Sequence, residues 1–422
     1  MAANSSSAVA FRNVHITDFH QETEKLEVVQ RFIREKNRAN DGSYKIHALT
    51  ITGDMIGSKY GDPTEDAAIK SYISNLQHLH EDEDMQAKVN SLVDYAKKEQ
   101  NGTLSPKEEL NVETILSEIT EAQTQAFHDA FEGEYQKVAD ILERVNEDLE
   151  DDHVIGGLGN WDTKHAYKVL SPYMKFVENE KKVILKGEKG LEMVVQGDIN
   201  TNTTEDPIHM MKARFARSKS PTQELLALNQ AYTLLSDYFV DSSSGWRIKD
   251  LDQRINAATT ENTKKGYQNI QEQALKHQAN ARERLGEVGK ADIWMSHKTP
   301  HASETYVKPN GLGSSSSGDI TMEYSQGAKA ILGGHVHHQQ IGTMPYATLQ
   351  QKIKNSTETT MIDGHEVKVI YKDPDQPWEI NPGPKHFAVE EYDENKDITQ
   401  VVMYEFVYED IANEAPSNRK AA

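Results

Sequence analysis

The sequence predicts an α/β protein interrupted by long helical insertions, on two observations. Five short runs of apolar or β-branched residues each end in Asp, Asn or His, and the long stretches between some of them carry helical rather than strand periodicity. The first run, N-V-H-I-T, ends in Asp18-Phe19-His20, and the second, I-H-A-L-T-I-T, in Gly53-Asp54. H-V-I-G-G-L ends in Gly159-Asn160, A-D-I-W-M-S in His297, and A-K-A-I-L-G in Gly334-His335-Val336-His337. Continuous apolar runs of this length are what strands buried on both faces look like.

Between the second and third runs, Ile69, Tyr72, Ile73, Leu76 and Leu79 form one apolar stripe. Phe131, Tyr135, Val138, Leu142, Val145 and Leu149 form another. Their alternating spacings of three and four predict long amphipathic helices. Around Ser105, L-S-P-K-E-E reads as a helix start, with a capping serine and a proline in the first turn. A second helical block follows, with seams at Leu225, Leu228, Tyr232, Leu235 and Phe239, and at Tyr267, Ile270, Ala274, Ala281, Leu285 and Val288. Either insertion is a candidate cap over a cleft or homo-oligomer interface, because heptad-like seams also serve partner helices. The expected organisation is a core of 11–62, 151–206 and 286–411, insertions at 63–150 and 207–285, and flexible tails at 1–10 and 412–422.

In sheets built from crossover units, loops at the carboxyl ends of strands gather at one edge. Such an edge would collect Asp18, His20, Asp54, Asn160, His297, His335 and His337 in one cleft. Nitrogen and oxygen donors of this kind suit Mn, Fe, Zn, Co or Ni better than calcium. Seven ligands exceed one tetrahedral ion but suit two ions about 3.5–4 Å apart that share a carboxylate. A lone D-x-H recurs by chance and a lone Gly-Asp reads as a turn; the order and strand-end placement of all five together carry the reading.

In that combination the chain resembles the calcineurin-like metallophosphoesterases, whose pattern runs D-x-H, G-D, G-N-H-[DE], H, G-H-x-H. The resemblance extends to K-V-I-L-K-G-E-K-G-L-E-M-V-V-Q-G after the third motif, and to E-I-N-P-G-P, H-F-A-V-E-E-Y-D and T-Q-V-V-M-Y-E-F near the end. It implies a four-layer α-β-β-α sandwich and two divalent metals, Mn²⁺ foremost. By the same resemblance Asp18, His20 and His337 hold one ion, Asn160, His297 and His335 the other, and Asp54 bridges them. A hydroxide held between the ions would hydrolyse a phosphate ester, a small phosphodiester in preference to a monoester, with Asn160 and His335 at the centre of the chemistry.

Trp161 stands where many members carry a histidine, and an indole cannot donate a proton of useful acidity. The replacement could be His165, the preferred candidate, or His301 or His338. Two alternatives are a site that needs no acid, and a scaffold that holds metal without turnover and acts through its helices. A nuclease is a further alternative, encouraged by the cations Lys212, Arg214, Arg217 and Lys219. The net charge of −21 argues against it, since long nucleic acid demands many phosphate-neutralising cations. The chain has no cysteine, which excludes disulfides, thiolate metal sites and cysteine nucleophiles. No run is apolar enough to span a membrane, and M-A-A-N-S-S-S-A-V-A-F-R lacks the pattern of a secretory signal, so a cytoplasmic protein is expected.

Overall fold

The computed structural model describes residues 9–39, 44–57, 66–150, 153–198, 248–298, 320–321, 323–335, 340–343, 357–362, 365–371 and 378–406. His337, His301, His338, the basic residues Lys212 to Lys219 and the Leu225–Phe239 seam lie outside them.

Two mixed sheets make the frame. The larger contains β1 (Phe11–Ile16), β2 (Ala48–Thr52), β3 (Val154–Gly157), β4 (Lys175–Phe176), β10 (Thr357–Ile362), β11 (His365–Tyr371), β13 (His386–Tyr392) and β14 (Ile398–Glu405). Their order is β10-β11-β14-β13-β1-β2-β3-β4, parallel from β1 to β4 and antiparallel on the other side. The smaller sheet runs β5 (Val183–Lys186), β6 (Glu192–Gly197), β7 (Ile293–Lys298), β8 (Ala330–Gly334), β12 (Trp378–Asn381) and β9 (Gln340–Thr343). Three central pairings in it are parallel, β6 to β7, β7 to β8 and β8 to β12. The stretch after the third run forms the antiparallel pair β5–β6, and the terminal segments form β12, β13 and β14.

Alternation along the strands distributes side chains into three apolar layers, because successive residues of a strand face opposite ways. Val14 and Ile16 of β1 join the helices α1 (Thr23–Arg38), α2 (Ala67–Glu81), α4 (Pro106–Asn146) and α5 (His165–Leu170) in the largest cluster. Phe11, Ala48 and Ile155 meet Ile293, Met295, Leu332 and Ile380 in a second layer between the sheets. Trp294 and Ile331 face outward in a third, under Ala281 and Leu285 of α7 (Glu261–Leu285). Trp294 is fully buried, and burying a side chain of that size stabilises by roughly 2–3 kcal/mol.

The predicted start at Ser105 is the N-cap of α4, which runs for 41 residues. Pro106 occupies its first turn, and the Ser105 N–H and hydroxyl both donate to Glu108, at 2.9 and 2.7 Å. The helix has two characters. From Phe127 onward the predicted stripe is buried and shares one core with β1, β2 and β3. Before that it pairs with α3 (Glu83–Gln100), and Val89, Val93, Leu110 and Leu116 stay exposed. In the second block, α6 (Ile248–Ala257) packs against α7, whose Ala274, Ala281 and Leu285 are buried; the helix ends at Leu285, and Val288 beyond it is exposed. Among the described residues, no helix is long and apolar enough to cross a membrane.

Candidate metal centre

The carboxyl ends of β1, β2, β3, β7 and β8 converge, and with them six of the seven residues singled out in the sequence. Asp18, His20, Asp54, Asn160 and His297 are buried and His335 is partly so. Two sets of ligand atoms, each within 4.8 Å of one another, share one carboxylate: Asp18, His20 and Asp54 on one side, Asp54, His297 and His335 on the other. Asn160 completes the second, its Oδ1 lying 3.0 Å from His297 Nε2 and 2.8 Å from His335 Nδ1.

The backbone is strained where these residues sit. Asp18, His20, Asp54 and His335 all have positive φ, between 42° and 67°, and they make up four of the seven non-glycine residues so placed among those described. Such conformations cost about 1–3 kcal/mol each and cluster at functional sites. The two motif glycines permit the convergence. A Cβ on Gly53 would lie 2.3 Å from Gly159 N, and one on Gly159 would lie 2.1 Å from Asp54 Oδ1. The Gly-Asp and Gly-Asn loops therefore meet backbone to backbone, closer than any side chain would allow.

The donor atoms face one another in a way that asks for positive charge. His297 Nδ1 lies 2.6 Å from the carbonyl oxygen of Thr52, which can only accept, so that nitrogen carries the hydrogen. In the neutral ring this leaves a lone pair on Nε2, which points at Asn160 Oδ1 and, 3.3 Å away, at Asp54 Oδ2. Asp54 Oδ2 is buried without a hydrogen bond, and His20 Nε2 lies 3.7 Å from it on the other side. Burial pushes the Asp54 carboxyl up, yet the His297 and His20 imidazoles and the Trp161 N–H outweigh it and hold it well below the usual carboxylate range. Burial likewise lowers His297, and Asp54 and Asp18 overcome it and raise the imidazole. A proton is one way to fill this nest of lone pairs. A divalent cation is the other, and the buried His and Asp groups fit one: borderline donors, an orphaned carboxylate oxygen, and a histidine oriented through its second nitrogen.

Asp162, at the acidic position of the G-N-H-[DE] pattern, has a positioning task in the structure. Its Oδ1 accepts from the N–H groups of Met55 and Ile56 at 3.0 and 3.2 Å, and its Oδ2 from Gly159 N–H at 2.8 Å. Burial and the neighbouring Asp54 carboxylate push its own carboxyl up. The Tyr135 hydroxyl, from α4, donates to Asp162 at 3.3 Å and accepts from Thr163 N–H at 2.7 Å. Tyr135 escaped the sequence reading because its place in an apolar stripe identifies a core ring and says nothing of its hydroxyl. Trp161 donates its backbone N–H to Asp54 Oδ1 at 2.9 Å, while its buried indole lies against Gly57. The indole is thus a wall of the loop. His165 is directed to α4, where its Nε2 lies 2.7 Å from His128 Nδ1 and its ring packs near Phe127.

No family model and no curated protein matches the chain. Among solved structures, the crystal structure of TT1561 of Thermus thermophilus aligns over 93% of this chain and 98% of its own, at 8% identity and a TM-score of 0.33. A superposition of that score adds nothing to the fold and site described above. What stands on the chain's own geometry is an α/β protein of two mixed sheets with a buried His/Asp group able to hold a metal ion.

Proposed function

We propose that the protein is a dinuclear metal-dependent hydrolase of phosphate esters, with the four-layer sandwich fold of the calcineurin-like metallophosphoesterases. The observation that carries this reading is the Asp54 carboxylate, shared by two ligand sets and left with a buried, unbonded oxygen between His20 and His297. Asp18 and His20, joined by His337, would hold one ion, and Asn160, His297 and His335 the other, with Mn²⁺ the first choice and Fe, Zn, Ni or Co as alternatives. Bound there, the ions would supply the Lewis acidity that activates water and offsets charge on the phosphoryl oxygens.

The chain's own part is orientation. Thr52 fixes the His297 tautomer, His335 N–H grips Asp18 Oδ1 at 2.9 Å, and Asp162 ties the second and third motif loops together. A small phosphodiester is the preferred substrate class, because the loop offers Trp161 where an imidazole would protonate a poor leaving group. His165 is dropped as the acid: burial, then His128, lower its imidazole to about 4, so it is neutral at pH 7. The core at 11–62, 151–206 and 286–411 would carry the chemistry, with 63–150 and 207–285 as insertions. A second reading, a scaffold that holds metal without turnover, draws on the same tryptophan.

The test is turnover of a nitrophenyl phosphodiester and the matching monoester by metal-stripped protein given Mn²⁺, Zn²⁺, Ni²⁺ or Mg²⁺ separately. Diester hydrolysis that requires metal and disappears in Asp54→Asn and His335→Ala is the expected result. Bound metal without turnover of either ester would leave the scaffold, and unchanged rates in both variants would dismiss the site.

A further inference from the structure

Outside the cleft, a further group of side chains among the described residues has the composition of a metal site. His128 and Glu132 lie one turn apart on α4, so both project from the same face of the helix. His165 comes from α5, five residues beyond Asn160 in the chain. One donor atom from each of the three lies within 4.8 Å of the others, with His165 buried and its two partners half-buried.

The surroundings favour ligation. His165 Nδ1 lies 3.3 Å from the Thr163 hydroxyl, which can take that ring's hydrogen and leave Nε2 with its lone pair towards His128. Phe127 and Phe131 pack against the His165 ring, at 5.7 and 6.0 Å between centroids, and give the group an apolar wall. The lowered His165 imidazole is in the neutral, ligating form at pH 7. Glu132 is the accessible corner, and there it is paired with Lys168, whose side chain is 70% exposed and free to swing into solvent.

We propose that His128, Glu132 and His165 form a further divalent-metal site, separate from the cleft and of the zinc class, that clips α4 to the segment following Asn160. Two imidazoles and one carboxylate are a borderline-metal donor set, and three protein ligands are enough for a stable site. The required adjustment is small. Nitrogens bound to one tetrahedral Zn²⁺ at ~2.0 Å stand about 3.3 Å apart, so the His128–His165 pair must open slightly and the carboxylate close in. The clip would join a helix of the long insertion to the third motif loop, whose Asp162 the same helix already reaches through Tyr135.

The experiment is a Zn²⁺ titration of chelator-treated, ¹⁵N-labelled protein, following imidazole nitrogens by long-range ¹H–¹⁵N correlation. His128→Gln supplies the assignment, and bound zinc is counted in wild type and in the partly exposed variant Glu132→Gln. Micromolar Zn²⁺ is expected to move the His128 and His165 resonances together, and the wild type to bind one more ion per chain than Glu132→Gln. Circular dichroism checks that the variants are folded. Equal zinc counts, resonances of this pair that stay still while others move, or a response only at millimolar Zn²⁺ would overturn the assignment. Because the count is a difference at constant cleft composition, an empty cleft leaves this test intact, and failure here leaves the phosphoesterase reading untouched.

Discussion

Replacing Asp162 by alanine tests whether one carboxylate holds the second and third motif loops in register. Three buried backbone N–H groups, those of Met55, Ile56 and Gly159, depend on its two oxygens. A buried donor left without a partner costs about 1–3 kcal/mol, so three would cost roughly 3–9. Removing a carboxyl whose ionisation is opposed by burial and by Asp54 offsets part of this. The net loss is expected to be about 3 kcal/mol, roughly two orders of magnitude in the folding equilibrium. Asp162→Asn separates the two oxygens. Its amide oxygen can keep the Oδ1 contacts with Met55 and Ile56, while its NH₂ group must face the Gly159 N–H, donor against donor. About 1–2 kcal/mol is expected for that change. Urea unfolding followed by fluorescence measures all three proteins at pH 7. An alanine variant within ~1 kcal/mol of wild type, or an asparagine variant as damaged as the alanine one, would refute the reasoning.

Asp66 caps α2 through one oxygen, which accepts from Ala68 and Ile69 N–H at 2.8 and 3.1 Å, and burial raises its carboxyl to about 6. A carboxyl raised on folding favours the native state while protonated, so this stability is complete below about pH 4 and lost as pH rises to 6. Asp66→Asn keeps the cap oxygen and should flatten the stability profile between pH 4 and 6, gaining about 1–3 kcal/mol over wild type at pH 8; denaturation at each pH reads it out. Tyr135→Phe removes the acceptor of Thr163 N–H and should cost about 1–2 kcal/mol by the same measurement. In Gly159→Ala the new methyl would force Asp54 away, and metal affinity by calorimetry should fall ~10–100-fold. Chelation of the wild type should lower its thermal midpoint, and added Mn²⁺ should restore it, since a ligand that binds only the folded state stabilises it.

Much of this site could be read from the chain because its residues are anchored to strand ends. A buried strand is short, apolar and easily recognised, and the polar residue that ends it must lie at the sheet's edge. Asp18, Asp54, Asn160, His297 and His335 all meet that description. Helical stripes were legible for the same reason, although spacing marks a buried face without naming what covers it. Nothing in the periodicity of Phe131, Tyr135 and Val138 distinguishes a free hairpin from a helix sharing its core with β1 to β3. The contact between Gly53 and Gly159 joins two loops far apart in sequence, and the motif glycines that permit it do not say that they meet each other. His165 shows the opposite error. Its nearness to Asn160 in sequence suggested a shared task, but α5 turns its ring to His128, 37 residues earlier in the chain.

The two characters of α4 also decide where the polypeptide tolerates interruption. At ~1.5 Å per residue its 41 residues extend about 60 Å, and the exposed half ends at the turn through Asn101 and Gly102. Gly102 is exposed, and a Cβ there would meet nothing within 4 Å. A peptide inserted at this turn, or new termini opened there, would leave every contact of the second half of α4 in place. The chain thus carries its own attachment point for a tag, a fluorophore or a foreign fold, held at a distance from the converging strand ends by a rod of known length.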